Sequence, residues 1–139
     1  MIDYSFYIKK SPVEGPNFKI GISAIKNMDV RLGSYQNAIG PGYQERFERI
    51  WVGPEQDIRE LERLLKIKFK RKMAGTYRGY TEWVTDINYD DLVSSVEETI
   101  EVLGVEASSP KNLGNVFLED VEQIQETYLT EGVYNENQY

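Results

Sequence analysis

The chain contains no cysteine and no histidine. The first absence excludes a disulfide framework and a thiolate metal site. The second excludes a Ser-His-Asp triad, a Cys-His pair and any imidazole-ligated metal, which leaves carboxylate, Lys, Tyr and Arg as the available site chemistry. No apolar run approaches the roughly 18 residues that a membrane-spanning helix needs, and the N-terminus lacks a basic segment followed by an apolar one. A protein with no membrane partner and a cytoplasmic location is therefore expected. At 139 residues the chain is long enough for one domain with a modest core.

Basic residues are almost missing from the second part of the chain. Residues 1–81 hold 15 Lys and Arg against 9 Asp and Glu, whereas residues 82–139 hold 1 against 14, so a net charge of -7 divides into +6 and -13. A split this sharp points to a basic unit that can meet phosphate, followed by an acidic extension. The simpler reading is that the acidic surface only keeps the protein soluble.

Tyr4–Lys9 and Phe18–Ser23 are rich in β-branched and aromatic residues, and the Pro12, Glu14, Gly15, Pro16, Asn17 cluster between them reads as a turn, so a β-hairpin is expected. Met28, Leu32 and Tyr35 then fall at helical spacing. Ser34–Tyr43 reads as a loop. Arg46–Val52 is predicted as a third strand, with Phe47, Arg49 and Trp51 on one side and Glu48, Ile50 and Val52 on the other. Pro54–Met73 is predicted as a long amphipathic helix with Ile58, Leu61, Leu65, Phe69 and Met73 as its apolar stripe. Tyr80–Thr85 is expected as a closing strand. Asn88–Leu103 is expected as a helix capped by Asn88 and stopped by Gly104. Residues 105–116 read as a linker, Phe117–Leu129 as an acidic helix, and Glu131–Tyr139 as a mobile end. These elements predict an α/β fold with a mixed or antiparallel sheet of three to four strands flanked by helices. The expected division is a domain over 1–103 and an acidic linker, short helix and tail over 104–139.

The order of short motifs resembles the GIY-YIG nuclease superfamily over roughly residues 4–85. Ser5-Phe6-Tyr7 stands at the first motif. Lys19-Ile20-Gly21 stands at the second, with lysine at the tyrosine position, as in the branch whose second motif reads Lys-Ile-Gly. Arg31 follows ten residues after Gly21, and Leu61-Glu62-Arg63-Leu64-Leu65-Lys66 matches the glutamate helix. Gly79-Tyr80-Thr81-Glu82-Trp83-Val84 looks like the closing strand. The late asparagine of some members has only Asn88 as a loose counterpart. The resemblance implies a metal-dependent endonuclease acting on DNA, and small stand-alone members of this branch are frequent in phages, which would place the chain in a host cytoplasm.

The residues can support that chemistry. Phosphodiester hydrolysis needs an activated water, a clamp for the phosphate and a cation for the leaving oxygen. Glu62 is the candidate ligand for Mg2+ or Mn2+, with Glu82 as a second carboxylate, and Arg31 offers forked donors that suit two phosphate oxygens. Tyr7 or Lys19 would orient or deprotonate the water; free Tyr and Lys titrate near 10, so either needs a setting that lowers its pKa, and both stay candidates. Arg59, Arg63, Lys66, Lys70, Arg71, Lys72 and Arg78 form a basic stretch expected to track a DNA backbone. Each residue also has an ordinary reading: Tyr7 as a cross-strand aromatic, Lys19 as an edge charge, Glu62 as the i, i+4 partner of Lys66. One such site cuts one strand, so double-strand cleavage calls for a homodimer or two successive nicks. The rival class is a non-catalytic protein, either a nucleic-acid-binding module or an acidic interaction protein whose C-terminal charge shields its own basic face.

Overall fold

The computed structural model describes residues 1–10, 17–32, 46–74, 83–110 and 114–136. The expected turn at 11–16 and loop at 34–43 lie outside them, as do Tyr35, Arg78 and Glu82. The fold is α/β. Strands β1 (Tyr4–Lys10) and β2 (Phe18–Ala24) form the expected hairpin. A 3-10 turn, Ile25–Asn27, then leads into the short helix α1 (Met28–Leu32). Next come β3 (Arg46–Phe47), β4 (Arg49–Gly53), helix α2 (Glu55–Lys68) and a 3-10 turn, Lys70–Lys72. Strands β5 (Met73–Ala74) and β6 (Trp83–Val84), helix α3 (Tyr89–Leu103), strand β7 (Val116–Phe117) and helix α4 (Leu118–Glu136) complete the chain.

An antiparallel five-stranded sheet runs in the order β4-β1-β2-β6-β5, and β3 and β7 make a separate ladder. Strand β6 falls within the expected closing strand Tyr80–Thr85, and the strand of this sheet beyond the expected three to four is the two-residue β5. Met73 pairs there with Val84 rather than extending the helix, which ends at Lys68. With β1 paired on both sides, by β4 and β2, its alternate residues divide between two cores. Phe6 and Ile8 face one side, with Phe18, Ile20 and Trp51, and are covered by Ile58, Leu61 and Leu65 of α2 and Leu92 and Val96 of α3. Tyr7 faces the other side, with Ile50 and Val52, and is covered by Met28 and Leu32 of α1 and Val121 and Ile124 of α4.

The third strand departs from its predicted alternation. Phe47 sits in the Tyr7 core and Trp51 in the opposite one, because the strand breaks at Glu48 and the extra residue reverses its parity. Hydrogen bonds fix the break. Glu48 N donates to Ile8 O at 2.7 Å, while the Glu48 carbonyl accepts from Asn115 N at 3.0 Å and from the Tyr89 hydroxyl at 3.3 Å. Burial raises the Tyr89 pKa, which keeps that phenol protonated and donating.

Helix α3 has the expected ends: Asn88 Oδ1 accepts from Asp91 N at 2.8 Å, and Gly104 closes the helix with φ 66°. Residues beyond 104 are built into both cores. Ser108 pairs with Val52 through hydrogen bonds of 2.8 and 3.0 Å, Ala107 packs on the Phe6 side, and Val116, Val121 and Ile124 are buried with Tyr7. Gly53 permits this closure, since a Cβ there would lie 2.1 Å from Glu106 O. The last helix also runs to Glu136, past the expected end at Leu129.

Candidate functional site

The hairpin register decides which candidate side chains share a face. Tyr7 stands opposite Gly21 and Lys9 opposite Lys19, so Tyr7, Lys9 and Lys19 project from one side of the sheet. Helix α1, which carries Arg31, packs on that same side through Met28 and Leu32. Tyr7 is buried, its ring 4.9 Å from that of Phe47. Lys19 is half-buried and Arg31 is exposed.

Gly21 has a local reason to be glycine. A Cβ at this position would lie 2.6 Å from the Tyr7 hydroxyl oxygen, so the phenol lies directly across the bare backbone. The glycine of Lys-Ile-Gly and the tyrosine of the first motif are thus one steric unit. Gly21→Ala is expected to displace the Tyr7 ring and to cost about 1–3 kcal/mol, as overpacking does. Urea denaturation followed by tyrosine fluorescence would show both effects; an unchanged midpoint and spectrum would mean that the contact relaxes freely.

Glu62 is placed differently. It follows Leu61, which is buried on the Phe6 side, so its helix covers the sheet face opposite Tyr7 and Lys19. Its carboxylate is largely buried and lies 3.5 Å from Lys66 Nζ, the i, i+4 pairing that the sequence also allowed. Among the described residues, no group of three or more acidic side chains could hold a metal ion. A single carboxylate such as Glu62 would suit a magnesium-like ion that draws its other ligands from water and substrate phosphate. Strand β2 is paired by β6 only at Phe18 and Lys19, and its outer edge from Ile20 onward has no partner strand among the described residues.

In comparison with known proteins, no family model, curated protein or solved structure matches the chain. The functional reading rests on its own geometry and on the motif order.

The basic stretch is heavily paired. Arg59 Nε donates to Glu55 at 2.7 Å, and its guanidinium reaches the Tyr4 hydroxyl at 3.2 Å. Arg63 Nε donates to Glu60 at 3.1 Å and holds that carboxyl below its ordinary pKa by hydrogen bonding. Lys68 lies 3.8 Å from Glu98 of α3, and Lys72 Nζ donates to Asp86 O at 3.1 Å. Among the described residues no ion pair engages Lys70 or Arg71, both exposed on the turn after α2. Exposed ion pairs contribute little, so a phosphate can compete for the paired cations, but the two at the turn meet it with no acid to displace. The acidic helix α4 packs on α1, on the other side from α2. The acid that borders the basic helix comes from α3.

Sequence reasoning missed Lys9. It is 2 % exposed on the Tyr7 face, with Nζ donating to Leu32 O at 3.1 Å. The available signal was a lysine two positions after Tyr7, which strand periodicity turns to the same side.

Proposed function

We propose that this chain is a metal-dependent endonuclease that hydrolyses phosphodiester bonds in DNA. The observation that carries the reading is the hairpin register: Tyr7 and Lys19 share one face, and the helix bearing Arg31 packs against that face. An arginine, a phenol and an amine brought to one side of a sheet are what a phosphate clamp and a water-orienting group require. Arg31 binds the scissile phosphate, Tyr7 or Lys19 orients the attacking water, and Glu62, on the helix that covers the other face, is the carboxylate offered to the metal. Glu62 would hold a magnesium or manganese ion, which would supply positive charge to the leaving oxygen. Supercoiled plasmid and duplex oligonucleotides should be cut in magnesium or manganese and left intact in EDTA; failure of the purified protein to cut either substrate would overturn the proposal.

A second reading is favoured by one observation, the Glu62–Lys66 pair on a helix covering the opposite face. On that reading the fold binds nucleic acid through α2 and the Lys70–Lys72 turn without turnover. Each lost phosphate contact lowers the salt dependence of binding by about one in the log-log slope. Lys70→Ala with Arg71→Ala should therefore reduce the slope by about two. Arg59→Ala should change it less, because that guanidinium is held by Glu55 and Tyr4. Equal changes from both variants would show that the ion pairs do not restrict the patch.

A further inference from the structure

Helix α1 is five residues long, far below the length at which an isolated helix is stable in water. Side chains from two distant parts of the chain fasten both of its ends. At the entry, Gln125 Nε2 of α4 donates to Ile25 O at 3.0 Å and to Asp29 Oδ1 at 2.9 Å. At the exit, Lys9 Nζ of β1 donates to Leu32 O at 3.1 Å. Leu32 adjoins Arg31, and the Lys9 ammonium also lies 5.7 Å from the centre of the Phe47 ring.

Burying an ammonium is unfavourable unless its head group is bound, and an apolar side chain would fill this position at less cost. Lysine at this site therefore calls for a reason beyond packing. The hydrogen bond to the Leu32 carbonyl supplies one, because it ties the end of α1 to the strand that carries Tyr7. We infer that Lys9 and Gln125 are positioning residues that hold the Arg31 helix in register with Tyr7 and Lys19. The acidic C-terminal helix is in consequence a working part of the site, through Gln125. This inference rests on the nuclease reading, in which Arg31 meets the phosphate in the transition state. A displacement of about 1 Å at such a group costs on the order of 100-fold in rate.

The test is single-turnover cleavage of a duplex oligonucleotide in magnesium by Lys9→Met and by Gln125→Leu, each made in the wild-type and the Arg31→Ala background. In the wild-type background each substitution should lower the maximal single-turnover rate constant by about 10- to 100-fold, with little change in the enzyme concentration that gives half of it. In the Arg31→Ala background neither should have a further effect, since groups that act through one residue are not additive. A role confined to general stability would lower activity by the same factor in both backgrounds, and that result overturns the inference. Full activity of both variants overturns it as well. Gln125 is only partly buried, so its variant keeps the test decisive where Lys9→Met does not fold. An inactive wild type fails the nuclease reading and this inference with it; an active wild type beside unaffected variants fails the inference alone.

Discussion

Arg31→Ala and Glu62→Gln are each expected to lower metal-dependent cleavage by roughly 100- to 1,000-fold, the range seen when one preorganised charge-stabilising group is removed from a hydrolytic site. Both substitutions leave the cores alone. Arg31 is exposed on α1, whose buried residues are Met28 and Leu32, and Glu62 stands outside the Ile58, Leu61, Leu65 stripe of α2. Melting temperatures should therefore stay close to wild type, which separates loss of chemistry from loss of fold. The two variants differ in their metal response. Glu62→Gln keeps the shape and removes the charge that a hard cation needs, so its residual cutting should require more magnesium, whereas Arg31→Ala should show the wild-type metal dependence at a lower rate. Cleavage that survives both substitutions would place the site elsewhere, and an effect of Arg31 without one of Glu62 would mean that Glu62 does not serve the metal.

Ending the chain at Ser109 should abolish cooperative unfolding. This removes Val116, Val121 and Ile124 from the Tyr7 core, takes away the partner strand of Arg46–Phe47, and releases the Gln125 bonds to Ile25 and Asp29. Burying three aliphatic side chains is worth about 1.5–3 kcal/mol each, a sum comparable to the about 5–15 kcal/mol that holds a typical domain together. Circular dichroism during urea titration should show a broad, non-cooperative transition; a sharp transition near the wild-type midpoint would show that residues 1–109 fold alone. The same packing makes truncation a poor probe of charge shielding. Neutralising the exposed Glu119, Glu122 and Glu126 to glutamine tests shielding with the core intact, and DNA affinity should then change little, since α4 lies on the other side of the molecule from the basic helix.

The sequence by itself determined what depends on local chemistry and short periods. Alternation in Tyr4–Lys9 and Phe18–Ser23 marked the hairpin, the 3.6-residue stripe of Ile58, Leu61 and Leu65 marked α2, and Asn88 and Gly104 marked the ends of α3 through their capping preferences. Placing Tyr7, Lys19 and Arg31 on neighbouring elements was legible for the same reason: strand period and chain order fix it without knowledge of distant residues. Only the tertiary structure decided what depends on partners far along the chain. The break at Glu48, which sends Phe47 and Trp51 to opposite cores, is set by Asn115 and Tyr89, more than 40 residues away. Lys9 closes the predicted first strand, and only the fold brings the Leu32 carbonyl to its ammonium. The acidic extension looked separate because its charge differs, but charge lies on surfaces, while membership of a core follows from where Val116, Val121 and Ile124 pack.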